Sequence, residues 1–254
     1  MSLNLENEGN LIAVIQNKNK EIKDKKLFVS DDEDKVRNGG PIFTCNSDET
    51  LQLVPNPTVE RQCLYVCGQS GSGKSHFTSE YVRNYKKTFP KNNVYVISSI
   101  DEDKSIDSLK PKRINVLDPE FMDDEFTAVD FKDSIVIFDD VEVFPAKIKK
   151  KVMGIVNNIL QIGRHSNVSI ILTTHNPTKG AESKILLTES NIITVFPKTT
   201  GSGALKYLLN NYLGLDSKQI KEIRKMKSRA VSVVRGYPVV ILTDKSSLLA
   251  HEMD

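Results

Sequence analysis

From residue 61 onward, short apolar runs alternate with stretches whose apolar positions recur every three or four residues. Cys63-Leu64-Tyr65-Val66-Cys67 reads as a buried strand. Residues 74–89 read as a helix in which Phe77, Tyr81, Tyr85 and Phe89, spaced by four, form a core stripe. Val94-Tyr95-Val96-Ile97 is a second strand, 113–117 a shorter one, and Ser134-Ile135-Val136-Ile137-Phe138 a central strand, apolar nearly throughout. Pro145 opens a helix whose apolar face is Ile148, Val152, Ile155, Ile159 and Ile162. Residues 168–174 and 191–196 read as strands, and 205–213 and 217–226 as helices. Residues 229–234 and 239–243 form a terminal hairpin around Gly236-Tyr237-Pro238. The alternation predicts an α/β domain with a central, mostly parallel sheet flanked by helices, followed by a helical and hairpin extension.

Residues 1–57 follow another rule. Apolar islands at 11–15, 27–29, 41–44 and 51–54 alternate with charge-rich stretches at 17–26 and 31–37, which fits short strands on a β-rich, partly mobile arm. Gly39-Gly40-Pro41 and Pro55-Asn56-Pro57 are breakers, and they set the expected division: an arm over 1–57 and a main domain over 58–254. The 254 residues suffice for a sizeable core, and 39% hydrophobic with 27% charged residues is ordinary for a globular protein. No apolar run is long enough to span a bilayer, and the start of the chain is acidic and polar rather than signal-like. Cys45, Cys63 and Cys67 lack the partners of a metal site, and Cys63 and Cys67 share one face of one strand, where a disulfide is geometrically poor. Free thiols in a reducing, intracellular compartment are the expectation. A net charge of +2 gives no global attraction to nucleic acid, so any basic surface must be local.

The chemistry sits between the first strand and first helix. Gly68-Gln69-Ser70-Gly71-Ser72-Gly73-Lys74-Ser75 matches the Walker A pattern in full, in the strand–loop–helix context that phosphate binding needs. Glycines let successive backbone N–H groups turn inward, and the helix N-terminus adds partial positive charge. Gly68, Ser70, Gly71, Ser72, Gly73, Lys74, Ser75 and His76 are the expected nucleotide-binding set for ATP, although the His76 ring itself, like that of His165, reads as structural or solvated. Lys74 reaches the β- and γ-phosphates, and the Ser75 hydroxyl holds Mg²⁺. The central strand ends in Asp139-Asp140, the Walker B pattern, with Asp139 assigned to the magnesium shell and Asp140 as general base toward the attacking water. Asp101, Asp103, Asp118, Asp123 and Asp124 follow no such strand and read as solvated. Thr173 and Ser169 read as strand residues that satisfy backbone groups.

Beyond these motifs run Gln161-Ile162-Gly163-Arg164-His165, a strand, and Thr173-Thr174-His175-Asn176-Pro177. Here the chain resembles the FtsK–HerA superfamily of DNA-pumping ATPases, in which a Gly-Arg pair follows the helix after Walker B and the next strand ends in a polar sensor, usually glutamine. The resemblance implies an additional-strand, RecA-like P-loop fold, an arginine finger at Arg164 acting on a neighbouring subunit's nucleotide, and a sensor at Thr174 and His175, with histidine departing from the usual glutamine. Ile137-Phe138-Asp139-Asp140-Val141, Ile162-Gly163-Arg164-His165, Leu205-Lys206-Tyr207-Leu208-Leu209, Tyr212-Leu213-Gly214-Leu215, and Lys227-Ser228-Arg229 with Tyr237-Pro238 look most like the genome-packaging ATPases of poxvirus-type large DNA viruses and their smaller relatives. That resemblance covers residues 60–245. It implies double-stranded DNA as partner, self-assembly into a ring, capsid or portal-vertex proteins as further partners, and a place in the host cytoplasm, virus factory or virion.

Two basic stretches are candidates for DNA contact: Lys147, Lys149, Lys150 and Lys151, and the helix face of Lys218, Lys221 and Lys225 with Arg224, Lys227 and Arg229 nearby. Few aromatics lie among them, which favours backbone tracking over base stacking. Three other readings stay open from the residues alone. One is a helicase or plasmid-transfer motor of the same superfamily. Another is an ABC-type ATPase, suggested by Leu172-Thr173-Thr174-His175 but lacking an LSGGQ-like signature. The third is an assembly switch with little turnover, against which the second acid, Asp140, argues.

Overall fold

The computed structural model describes residues 1–32, 35–59, 61–177 and 180–253, with the backbone alone for 180–183. The chain divides into two compact units, one formed by 1–58 with 191–254 and the other by 59–190.

In the first unit the early strands are β1 (Ser2–Asn4), β2 (Asn10–Asn17), β3 (Lys25–Ser30), β4 (Ile42–Thr44) and β5 (Glu49–Leu53). Antiparallel pairing in the order β1-β3-β2-β5 makes a four-stranded sheet. One face buries Ala13, Ile15, Leu27, Val29, Leu51 and Leu53, the period-2 burial expected of a sheet covered on one side.

The second unit holds β6 (Cys63–Cys67), α1 (Lys74–Thr88), β7 (Asn93–Ser98), the single turn α2 (Lys104–Asp107), β8 (Lys112–Asn115), β9 (Ser134–Phe138), α3 (Ala146–Ile162), β10 (Val168–Thr174) and α4 (Gly180–Glu189). Its five strands are all parallel, in the order β8-β7-β9-β10-β6. Strands β6, β9 and β10 are buried along their whole length, as the apolar runs require. One strand, β10, lies between the Walker A strand β6 and the Walker B strand β9. This is the additional-strand arrangement of the P-loop fold, as expected. Tyr81 and Tyr85 of the aromatic stripe are core residues. The α3 face buries Val152, Ile155 and Ile159, but Ile162, expected on that face, is 41% exposed where the helix ends.

The first unit is completed by β11 (Ile192–Val195), α5 (Ser202–Leu213), α6 (Ser217–Lys225), β12 (Val231–Val234), β13 (Val240–Leu242) and β14 (Ser246–Leu249). The hairpin expected around Gly236-Tyr237-Pro238 is the antiparallel pair β12–β13. It continues through β14 to β4, so a strand of the arm pairs with the last strand of the chain. Asp216 caps α6 in a reciprocal capping box with Gln219. Lys218, Lys221, Arg224 and Lys225 are exposed on that helix, and Ile220 and Ile223 are buried. Among the described residues no helix is long and apolar enough to cross a membrane.

Candidate nucleotide site

Because β6, β9 and β10 are parallel, their C-terminal ends share one edge of the sheet. Thr174 lies level with Cys67, and Leu172 level with Phe138. The loop after β6, the acid pair after β9 and the polar end of β10 therefore converge without any long connection.

The loop 68–73 is anchored by the Gly68 N–H, which donates to the Thr174 carbonyl at 3.0 Å. Gly71 (φ 73°) and Gly73 (φ 111°) are left-handed, conformations in which an L side chain is strained. A side chain at Gly71 would point into open space, so the concave surface there is clear. Gly73 is the N-cap of α1, and among the described residues no side chain caps the helix. The first-turn N–H groups of α1 are thus left for a ligand. The Ser72 hydroxyl is buried and has no hydrogen-bond partner among the described residues, a polar atom that costs free energy unless a ligand satisfies it. Ser70 and His76 are exposed and Ser75 is half-buried.

Lys74 is buried, and its ammonium donates to the Gly68 carbonyl at 3.0 Å. It also lies 3.2 Å from His175 Nδ1 and 3.5 Å from Asp140 Oδ1. Since a lysine can only donate, Nδ1 accepts, and the ring proton sits on Nε2, which faces Asp140 Oδ2 at 2.9 Å. His175 thus bridges the lysine and the second acid.

Asp139 and Asp140 share the Thr173 hydroxyl. That hydroxyl lies 2.8 Å from Asp139 Oδ1 and 3.3 Å from Asp140 Oδ1, and it accepts from the Asp140 N–H at 2.9 Å. Thr173 therefore does more than satisfy backbone, the role its position in the strand suggested. Ser169 does satisfy backbone, accepting the Gln62 N–H at 3.1 Å, and its hydroxyl also meets the Tyr85 side chain. Burial, followed by the neighbouring Asp140 charge, pushes the Asp139 carboxyl up to about 6. Asp140 adopts a left-handed backbone (φ 45°), which turns the chain at the strand end.

A residue the sequence did not single out joins this group. Glu142, in the short turn Val141–Val143, accepts the His175 backbone N–H on Oε1. Asp140, Glu142 and His175 place ligand atoms within 4.8 Å of one another. Nothing local marks Glu142, because its partner is distant in the chain and is met through backbone.

Arg164 lies apart from this group. It follows the C-cap Gly163 of α3, before β10 begins, and so sits at the opposite end of the strands from His175. Seven strand residues separate the two ends, roughly 23 Å at 3.3 Å per residue. Arg164 does not contribute to the site of its own chain. Two other expectations need correcting. Asp103 is not simply solvated: its carboxylate caps α2, accepting from the Ser105 and Ile106 N–H groups. Lys151 is not a free basic residue: it donates to the Asp124 carbonyl and lies 5.1 Å from the centroid of the Phe121 ring. Cys63 and Cys67 are buried free thiols, pushed up by burial to about 11 and about 12.

These residues suit a nucleoside triphosphate with magnesium. The glycine cradle and the buried Ser72 hydroxyl fit phosphate oxygens, and the hydroxyl and carboxylate of Ser75 and Asp139 are hard oxygen donors.

No family model matches the chain. Uncharacterized protein V3 of the Sputnik virophage is 35% identical over 228 residues, covering 89% of this chain and 90% of that protein. Two solved structures show weaker likeness. The DNA-packaging ATPase B204 from Sulfolobus turreted icosahedral virus has 16% identity and a TM-score of 0.47, over 73% of this chain and 99% of that one. The cytoplasmic domain of the type VII secretion ATPase EccC from Thermomonospora curvata has 12% identity and a TM-score of 0.49, over 72% of this chain and 25% of that one. With its strand order and glycine cradle the chain is an α/β P-loop NTPase, and it belongs to the family of the Sputnik virophage protein V3.

Proposed function

We propose that this protein is an ATP-hydrolysing motor that translocates double-stranded DNA and loads a viral genome into its capsid. The observation that carries the reading is the meeting of Lys74, the Asp139–Asp140 pair, Thr173 and His175 beside an uncapped helix N-terminus. In the working site Lys74 turns from Asp140 and His175 to the β- and γ-phosphates of ATP. Backbone N–H groups of 70–75 and the Ser72 hydroxyl hold the phosphate oxygens. Ser75 and Asp139 would hold Mg²⁺, which would supply positive charge for the phosphate oxygens. Asp140, released from Lys74, accepts a proton from the attacking water, and His175 keeps its carboxylate oriented. Arg164, too far from its own site, supplies positive charge to the γ-phosphoryl group of a neighbouring subunit in a ring. The exposed cationic face of α6 tracks the phosphate backbone of DNA without reading sequence. Kinship with a virophage protein supports action in the infected cell or virion, with capsid or portal-vertex proteins as further partners.

The test is the ATPase rate with and without double-stranded DNA, single-stranded DNA and RNA over a salt series. Stimulation by double-stranded DNA that fades as salt rises is the expected result. Hydrolysis indifferent to every nucleic acid would overturn the translocation reading.

A further inference from the structure

In the second unit, away from the nucleotide site, a cavity of about 380 Å³ lies where α3 ends and β6 and β10 begin. Arg61, Leu160, Arg164, His165, Ile185 and Glu189 line it. The Arg61 guanidinium is 10% exposed and committed: it donates to the Ile159 and Leu160 carbonyls at 2.6 Å each and lies 3.6 Å from Glu189. Arg164 and His165 are exposed around the same cavity. Ile185 on its wall is 43% exposed, and Ile162 on the adjoining turn 41%. The cavity therefore combines an apolar wall with more cationic than anionic groups.

The opposite end of the same parallel strands carries the complement. The loop leaving β7 presents Ile100, 46% exposed, followed by Asp101 and Glu102, and the loop leaving β8 presents Leu117, 55% exposed. Asp101 accepts from Asn115 at 2.6 Å, and Asp103 is used in capping α2. Glu102 is exposed and has no hydrogen bond or ion pair among the described residues. An apolar side chain followed by acids is the shape and charge that the cationic, apolar-walled cavity would take. One chain cannot make this contact with itself, because the two surfaces stand at opposite ends of its strands.

We propose that the cavity is the socket for the 100–102 loop of a second copy of this chain. The inference rests on the ring reading above and deepens it, by naming the two unlike surfaces that join neighbours. A contact between unlike surfaces is heterologous, so each copy both gives and receives a loop, and assembly closes into a ring when the rotation allows. Complementary charge steers the encounter, and the exposed isoleucines and leucine are covered by it. The same contact carries Arg164 to the edge of the neighbour on which that neighbour's acids stand.

The experiment uses the full chain with Cys45, its half-exposed thiol, changed to Ser, since Cys63 and Cys67 are buried. Ile100→Cys and Ile185→Cys proteins are made separately and treated with a short bis-maleimide in the presence of a non-hydrolysable ATP analogue and DNA. Sedimentation velocity on the parent protein under the same conditions reports whether assembly occurs. The expected result is assembly of the parent and a covalent dimer only when the two single-cysteine proteins are mixed. Glu102→Lys is expected to weaken assembly by about tenfold or more. Assembly without the mixed cross-link overturns the socket and leaves the ring. Cross-linking of either protein with itself indicates like-to-like pairing and also overturns the socket. A parent that stays monomeric overturns both the socket and the ring reading.

Discussion

At the scale of single residues, the site turns on how a buried strand end carries two acids. Asp139 is held in a setting where charge is disfavoured, with its carboxyl at about 6 against an ordinary 3.8. Between those values the folded protein keeps a proton that the unfolded chain releases, so this group's contribution to stability falls as pH rises through that window. Removing the charge should therefore stabilise the magnesium-free protein above pH 6 and do nothing below pH 4. Asp139→Asn is expected to gain on the order of 2 kcal/mol at pH 7.5, vanishing in acid, as read by urea unfolding at the two pH values. The variant should lose metal-dependent nucleotide binding at the same time. Thr173 is the other lever. Thr173→Val leaves the Asp140 N–H unpaired and takes a donor from between two carboxylates, with an expected loss of about 1–3 kcal/mol and a fall in ATP turnover. Thr173→Ser keeps the hydroxyl and should restore most of both. An unchanged Thr173→Val enzyme would show that the two acids need no shared hydroxyl.

At the scale of elements, α3 and α6 carry the testable consequences. Gly163 closes α3, and a Cβ there would stand 2.4 Å from the Ile159 carbonyl oxygen, a backbone atom that cannot swing aside. Gly163→Ala should cost about 1–3 kcal/mol by overpacking and shift the helix end that presents Arg164. Melting temperature and turnover measured together would separate this from a neutral change. On α6, reversing charge at Lys218, Lys221 and Lys225 should reduce stimulation by DNA and flatten its salt dependence while basal hydrolysis stays. Persistence of full stimulation would move the contact to Lys147, Lys149 and Lys150. The same elements show what the sequence made legible. Walker A and Walker B could be read because each is a contiguous string whose chemistry is local, and β9 because its apolar run is unbroken. The β10 position between β6 and β9 came from resemblance, and no pattern in the strand itself states its neighbours. Helix α4 went unseen because Ile185, Leu186 and Leu187 are consecutive and make no stripe. Strand β14 was missed because its four residues, Ser246–Leu249, are too few to show alternation. Glu142 and Thr173 were hidden for a different reason: each acts on a partner more than thirty positions away, a distance at which only the folded chain brings them together.

At the scale of the whole molecule, the division of labour between neighbours can be measured directly. Arg164→Ala should bind ATP and scarcely hydrolyse it, since losing such a finger costs on the order of a thousandfold in rate. Lys74→Ala has a dead pocket and an intact arginine. Mixing the two should return part of the activity, because some Arg164→Ala pockets then face a working arginine. Failure to recover, with mixed assembly demonstrated, would favour a structural role for Arg164 and count against the ring reading. The two-unit division has a consequence for how the chain is made. Strand β4, at Ile42–Thr44, pairs with β14, at Ser246–Leu249, and the Leu51 N–H donates to the Asp244 carbonyl, so contacts span about 200 positions. The 59–190 unit has all its own strands once residue 190 leaves the ribosome, and β1, β2, β3 and β5 pair within 1–58, whereas β4 must wait for β14 to be translated. During that interval β4 lacks its strand partner, and a protease added to stalled nascent chains should cut at β4 while sparing 59–190.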